Sequence, residues 1–215
     1  MTTKEKILSK AIEMYNASGV TNVTSRDIGQ ALGISHGNLE YHFKNKTVLL
    51  NAIYDNMSNG ISNVYEDAGV QDDPLVHFQT LLSALERMHQ KYLFFNLDLL
   101  EISRKFPDVK KKLDHNLHLR RAQTSGIIKR FIESDYFKAE PSKGYYLRLQ
   151  HIIRILITFW KSQEEILVSF RASKNNEMSL HVWDLLRPHM TEKGYRTYLK
   201  LIWLLSIIFK LKWLS

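Results

Sequence analysis

The chain has 215 residues, of which 44% are hydrophobic and none is cysteine. This length allows one large domain or a small domain joined to a larger one, and the hydrophobic fraction is sufficient for a substantial core. The lack of cysteine excludes disulfides and thiolate metal sites, whereas the formal charge of +8 favours a polyanionic partner.

The first predicted helix covers residues 3–18 and carries an apolar stripe. A pair of short helices follows it. Thr24 is the expected N-cap of the first of these, with Asp27 three residues later close to a capping-box pattern. Gly33 supplies the turn, because glycine adopts a positive φ at little steric cost. Ser35 is then expected to cap the second short helix. This arrangement predicts a helix-turn-helix.

The second short helix has two distinct faces. Leu39 and Phe43 lie one turn apart and are expected to face the first helix of the pair. The opposite face carries Gly37, Asn38 and Tyr41. A short helix with a small, polar and aromatic outer face fits the major groove of DNA. Capped helix pairs also occur in proteins that never bind DNA, so periodicity alone leaves that alternative open.

The runs TSRDIGQALGIS and GNLEYHFKNK, followed by Leu49 and Leu50, resemble the DNA-binding domain of the tetracycline-repressor (TetR) family of bacterial regulators. The resemblance covers residues 7–54. It implies binding to a pseudo-palindromic DNA operator, one half-site per subunit. At the matching positions, the residues expected to approach DNA are Ser25, Arg26, Ser35, His36, Gly37, Asn38, Glu40, Tyr41, His42 and Lys46.

Two positions depart from the family pattern. Gly29 replaces the usual alanine, which lowers helix propensity by roughly 1 kcal/mol. Glu40 stands where such domains often carry an aromatic residue. Lys44 follows it by four residues and is predicted to neutralise its charge. A hydrogen bond from a cytosine amino group to Glu40 is the alternative.

A fourth helix is predicted from Asn45 to about Tyr65, linking the head to the body. The sequence DAGVQDDP over residues 67–74 is the clearest loop in the chain. We therefore expect an all-α protein. Its helix-turn-helix head of three helices occupies residues 1–55, and a larger C-terminal helical bundle for effector binding and dimerisation occupies residues 56–215.

Helical spacing continues throughout the body, without strand patterns or internal repeats. The predicted helices begin at Pro74, cover residues 92–105, start again at Pro107, and then cover 145–170, a short segment ending near Pro188, and 195–214. Residues 104–143 hold eleven Lys or Arg and five Asp or Glu, whereas residues 1–55 hold six and five. The central basic stretch is interpreted as a solvated helix face. A role near DNA or an acidic partner is the alternative.

The helices between residues 74 and 137 hold large apolar side chains beside isolated polar ones. This composition suits a pocket for a small lipophilic effector, and equally a filled core. The family resemblance favours the pocket and implies that the effector moves the two heads and releases DNA. The candidate lining residues are Phe78, Leu82, Leu85, Met88, His89, Phe94, Phe95, Asp98 and Leu99, with Asn96 as a further polar candidate.

The last two long helices are apolar nearly all round, which predicts burial on more than one side. A homodimer with a four-helix interface would provide that cover, and the family resemblance implies the same. Burial within the monomer alone is the alternative. The candidate interface residues are Ile152, Ile155, Leu156, Phe159, Trp203 and Ile207.

No motif for catalysis, for a cofactor or for a metal is present in the sequence. Asp114, His115 and His118 share one predicted helix, but without further ligands we interpret them as solvated. We therefore expect a protein that is not an enzyme and needs no cofactor. The apolar run 201–209 is shorter than the about 20 residues that span a bilayer. With no signal-peptide core at the N-terminus, this predicts a cytoplasmic protein without membrane contact. The alternative function is that of a helical binding or scaffold protein whose helix-turn-helix is vestigial or contacts protein instead of DNA.

Overall fold

The computed structural model describes residues 1–67, 73–166 and 177–212, and the side chains of these residues except 66, 67 and 205–212. Within these ranges the protein is all-α, as predicted, and its only β pairing there is an isolated bridge between Phe137 and Met190. The helices are α1 (Thr3–Ser18), α2 (Ser25–Leu32), α3 (His36–His42), α4 (Lys46–Asp67), α5 (Pro74–Lys91), α6 (Leu93–Leu97), α7 (Leu99–Lys105), α8 (Pro107–Glu133), α9 (Tyr145–Ile166), α10 (Glu177–Leu186) and α11 (Glu192–Lys212). A 3₁₀ turn, Arg187–His189, follows α10.

Most helix limits agree with the sequence pattern, and two do not. The prediction of one helix over residues 92–105 is wrong, because the chain leaves helical geometry at Asp98 (φ −97°, ψ 12°) between α6 and α7. The final helix begins at Glu192, earlier than predicted. The hydroxyl of Thr191 caps it by accepting the N–H of Gly194 at 3.0 Å. Residues 167–170 of the helix predicted over 145–170 and the end of the final helix lie outside the described residues.

The chain divides into two compact units, each with its own apolar core. The first, here called the head unit, comprises residues 1–63, 87–118 and 158–171. The second, the body unit, comprises residues 64–86, 119–157 and 172–215. These are groupings in space, whereas the domain boundary predicted at residue 55 divides the sequence and stays a prediction.

The core of the head unit joins the N-terminal helices to α6. Fully buried aliphatic side chains on α1 to α4 form its centre: Ile7, Ala11, Ile28, Leu39 and Leu49. Two aromatic contacts extend it. The ring of Tyr15 lies 5.3 Å from that of Phe94, and the ring of Tyr54 lies 5.5 Å from that of Phe95. Aromatic pairs of this kind stabilise a fold beyond the effect of the apolar area that they bury. These contacts of α6 therefore help to hold the N-terminal helices in place.

The core of the body unit is built around Trp183 on α10. Its ring packs edge-on against Phe78, and its Nε1 donates to Oε1 of the buried Gln79 at 2.6 Å. The start of α11 packs closely against the turn that follows α8. A Cβ added to Gly194 would lie 2.0 Å from the carbonyl oxygen of Tyr136, so only glycine fits there.

Candidate nucleic-acid interface

The two short helices are capped as the sequence predicts. Thr24 and Asp27 form a reciprocal capping box at the start of α2, with the N–H of each donating to the side chain of the other at 2.8 and 3.2 Å. The hydrogen bonds from Thr24 lower the pKa of the Asp27 carboxyl. Gly33 ends α2 in the left-handed conformation (φ 67°), and Ser35 Oγ accepts the N–H of Asn38 at 3.1 Å. The predicted helix-turn-helix is confirmed.

The inner and outer faces of α3 are also as predicted. Leu39 and Phe43 are buried against the rest of the head unit. Gly37 and Asn38 are exposed, and Tyr41 is 85% exposed. A folded core thus holds α3 from one side and leaves its small, polar and aromatic side open. This geometry is the one required of a helix that enters a DNA groove.

The two departures from the family pattern have local explanations. Oε1 of Glu40 lies 3.2 Å from Nε2 of His36, so this carboxylate pairs with the imidazole instead of the predicted Lys44. Both side chains are half exposed, and such a pair contributes little stability. Gly29 is buried, and a Cβ there would lie 3.2 Å from the carbonyl oxygen of Ile34. The glycine therefore allows a close turn, which its low helix propensity did not indicate.

Lys46 has a structural contact that sequence reasoning missed. Its Nζ donates to the carbonyl oxygens of Val20 and Val23, the latter at 2.7 Å. Burial lowers the pKa of Lys46, and the nearby Lys105 lowers it further. An ammonium carries three N–H groups, so one donor remains after these two bonds. Lys46 thus holds the loop between α1 and α2 and keeps one N–H for a further acceptor.

Polar bonds tie this loop and the end of α1 to α6 and α7. The carboxylate of Asp98 accepts the N–H of Val20 at 2.8 Å. Asn16 spans the start of α6, accepting the N–H of Phe94 at 3.0 Å and donating to the carbonyl oxygen of Lys91 at 3.0 Å. These partners are distant in sequence, and no local pattern pointed to them.

Comparison with known proteins identifies the family. The sequence matches the model of bacterial regulatory proteins of the tetR family over residues 7–53. It matches the TetR bacterial transcriptional repressor model over residues 56–198. The chain belongs to the TetR family. It is therefore a TetR-family transcriptional regulator, and the resemblance seen in its helix-turn-helix is confirmed.

Individual TetR-family relatives are similar over different lengths. The tetracycline repressor protein class D of Escherichia coli is 38% identical over 50 residues, which are 23% of this chain and 23% of that repressor. A TetR-family regulator from Marinobacter aquaeolei VT8 has the same fold, with a TM-score of 0.83 at 22% identity over 94% of this chain and 97% of that one. The SmeT–triclosan complex has a TM-score of 0.67 at 15% identity over 89% and 93%. At such identities the structural likeness concerns the fold alone.

The remaining predicted DNA contacts lie on the same small region of this TetR-family chain. Arg26 and His36 are exposed, whereas Ser25 and His42 are half-buried. Ser25 begins α2, and His42 ends α3 with its ring 5.2 Å from that of Tyr41. Whether these residues contact DNA stays a prediction.

The candidate effector residues fall into two groups. Phe78 and Leu82 belong to the core of the body unit. Leu85 is half-buried and lies within residues 64–86 of the same unit. The others lie in the head unit: Met88, His89, Phe94, Phe95, Asp98 and Leu99. The structure therefore assembles six of the nine within one unit, and their role toward an effector stays a prediction.

His89 has the most unusual environment among these candidates. Its Nδ1 is buried without a hydrogen-bond partner in the described chain. Burial lowers the pKa of His89 to about 4, and the charge of Lys161 contributes to the shift. Lys161 itself donates to Glu164 at 2.6 Å. The imidazole is therefore neutral at physiological pH and offers a buried polar atom without a partner in the described chain.

The candidate interface residues differ in exposure. Ile152, Ile155 and Phe159 are 51%, 49% and 44% exposed along α9, and Trp203 is 63% exposed on α11. Leu156 is half-buried against the body core, so it points away from that open stripe. The side chain of Ile207 lies outside the described residues.

Neither a metal site nor a membrane span is found among the described residues. No group of three or more His, Asp or Glu side chains there could hold a metal ion. His118 lies 3.8 Å from Asp114, and both are largely exposed. None of the described helices is long and apolar enough to cross a membrane.

Proposed function

We propose that this TetR-family chain is a repressor that binds a pseudo-palindromic operator as a homodimer and is released by a small, mostly apolar ligand. The observation that carries the proposal is the geometry of α3. Its inner residues, Leu39 and Phe43, are buried and its outer residues, Gly37, Asn38 and Tyr41, are open. The role is regulatory and non-enzymatic, and binding to DNA would place the protein in the cytoplasm.

The exposed residues of α2 and α3, together with Lys46, fall into two groups, one suited to base edges and one suited to the DNA backbone. His36 and Asn38 in the first turn of α3 can donate to or accept from base edges, which specify sequence. Arg26 in the first turn of α2 suits a phosphate, because a helix N-terminus attracts anions. Tyr41 and the remaining N–H of Lys46 suit the DNA backbone, where contacts position the protein without reading sequence.

The apolar stripes on α9 and α11 support the homodimer. Ile152, Ile155 and Phe159 follow one another at helical spacing and each is about half exposed. On α11, Trp203 and Leu204 are more than half exposed. Long helices with such open apolar stripes gain stability when a second copy covers them.

The head unit supports a ligand that acts on the DNA-binding helices. His89, with its unpaired Nδ1, offers one polar contact to a neutral ligand in the unit that also holds Met88 and the aromatic side chains of α6. A ligand that displaces α6 would act on α1 directly, because Asn16 and Asp98 bond the two regions. SmeT, which shares the fold, is solved in complex with triclosan, a precedent for a small ligand.

The test is footprinting on the DNA that flanks the protein's own gene, because regulators often control neighbouring genes. Protection of a palindrome is the expected result. Binding should weaken steeply as salt rises, since each neutralised phosphate releases counterions. Binding without any protected palindrome, or with no dependence on salt, would contradict the proposal.

A further inference from the structure

A cavity of about 490 Å³ lies in the body unit, apart from the helix-turn-helix and from the proposed effector residues of the head unit. It is lined by one residue of α8 and six of α9: Arg121, Leu147, Arg148, Gln150, His151, Ile152 and Arg154. The two helices are joined beside it by a hydrogen bond from Ser125 Oγ to Oε1 of the buried Gln150 at 3.2 Å. Its size lies within the range of about 300–1,000 Å³ that is typical of small-molecule sites.

The ionisable side chains that line the cavity are all basic. Three arginines and one histidine line the cavity, and no carboxylate does. Arg121 belongs to the central basic stretch whose simplest interpretation is a solvated face. Of the lining arginines, Arg148 already uses part of its hydrogen-bonding capacity. Its guanidinium donates to the carbonyl oxygen of Lys143 at 3.2 Å and to Ser142 Oγ at 3.3 Å. Arg121 and Arg154 thus carry the charge that needs a counter-ion.

Among the lining arginines, Arg154 has the environment that is least favourable for its positive charge when no anion is bound. It is half-buried, and its burial lowers the pKa of the guanidinium. The charge of Arg121 also lowers that pKa, although Tyr65 acts in the opposite direction. An arginine side chain stays protonated in proteins, so this unfavourable environment persists as a cost to stability. A bound anion would relieve it by pairing with both guanidinium groups.

The lining is also apolar in part. Leu147 and Ile152 are 42% and 51% exposed and lie beside the charged groups. An inorganic ion would leave this apolar surface in water, whereas an anion with a hydrocarbon portion would cover it. We propose that the cavity binds a small amphiphilic anion, with a carboxylate or phosphate on Arg121 and Arg154 and a hydrocarbon portion on Leu147 and Ile152.

The position of the cavity gives a further reason, which rests on the proposed homodimer. Ile152 belongs both to the cavity and to the apolar stripe of α9. In a two-fold interface the same surface of each subunit meets its copy, so like charges from the two cavities would approach each other. An anion in each cavity would neutralise that repulsion. The site therefore differs from the effector site proposed in the head unit.

The experiment is isothermal titration calorimetry of the full chain with three probes of equal chain length: decanoate, decyl phosphate and decanol. At least one of the two anions is expected to bind at least tenfold more tightly than decanol, and the tighter of them identifies the head group. Arg121→Gln and Arg154→Gln should each weaken that binding by roughly tenfold to a hundredfold, since a charge-assisted hydrogen bond is lost. Arg121 is exposed, so its variant is expected to fold.

Lys129→Gln is the matched control. Lys129 also lies on α8 and is exposed, with its Nζ 3.5 Å from Oε1 of Glu133. This substitution should leave anion binding unchanged. The proposal is overturned if neither anion binds, if decanol binds as tightly, or if the two arginine variants bind like the unmodified chain. Operator binding is measured on the same samples without anion. Retained operator binding with no anion binding would reject this site alone and leave the proposed repressor intact.

Discussion

Replacing Gly37 by alanine separates the needs of folding from the needs of DNA binding. Gly37 lies in the first turn of α3, and a Cβ there would meet no atom within 4 Å. Nothing in the folded chain therefore requires glycine at this position. Alanine has the higher helix propensity, so the free protein should gain about 0.5–1 kcal/mol of stability. For a chain of this length that gain raises the Tm by about 1–4 °C.

Operator binding should change in the opposite direction. If α3 lies in the major groove, its first turn is the part closest to the bases, and a methyl group at Gly37 would overlap with DNA. Overpacking of a tight contact costs about 1–3 kcal/mol, which weakens affinity by roughly tenfold to a hundredfold. Thermal unfolding followed by circular dichroism gives the first quantity, and fluorescence anisotropy with a labelled operator gives the second.

Gly126→Ala on α8 is the control for this pair of measurements. A Cβ at Gly126 also meets no atom within 4 Å, and the residue is exposed and distant in sequence from the helix-turn-helix. It should give a similar gain in stability with unchanged operator affinity. A Gly37→Ala protein that is more stable and still binds the operator as tightly as the unmodified chain would refute the close approach of α3 to DNA.

Three further predictions address base recognition, pH dependence and assembly. Asn38→Ala should relax base preference at one operator position, whereas Lys46→Ala should weaken binding to all sequences and lower the salt slope by roughly 1; competition assays with mutated operators distinguish the two. Because burial lowers the pKa of His89 from 6.5 to about 4, the unfolded chain binds more protons between these values, so the free energy of unfolding falls as the pH drops below 6.5. Urea titrations should show His89→Gln removing about 2 kcal/mol of that fall between pH 7 and 5, and an unchanged pH profile would contradict the burial. Trp203→Glu should convert the dimer to monomer or aggregate in sedimentation, because it places an unpaired charge in an apolar interface; a dimer of unchanged affinity would locate the interface elsewhere.

Local chemistry explains what the sequence could predict. The caps at Thr24 and Ser35, the left-handed turn at Gly33 and the opposite faces of α3 each depend on residues within about one helical turn of one another. Short-range spacing specifies such features, because the backbone groups that need partners lie within reach of the side chains nearby. The whole helix-turn-helix could therefore be predicted from the sequence alone.

Tertiary placement explains what the sequence could not predict. Asp98 interrupts the predicted helix and bonds to Val20, 78 residues earlier. Lys46 turns toward two carbonyl groups, and Glu40 pairs with His36 instead of Lys44. The effector candidates followed helical spacing along α5 and α6, yet they divide between two cores. Spacing shows which side chains share a face, but not which element packs against it.

The hydrogen bond between Asp98 and Val20 has a genetic consequence. It connects the junction of α6 and α7 to the loop that Lys46 also holds, and it joins one carboxylate to one backbone N–H. Loss of that carboxylate removes this connection, while His89 and the outer residues of α3 stay unchanged. In a selection for strains that stay repressed in the presence of inducer, substitutions at Asp98 are therefore expected among the survivors. Their products would still bind the operator, but the inducer would weaken that binding less than in the unmodified chain, because one of its routes to the helix-turn-helix is lost.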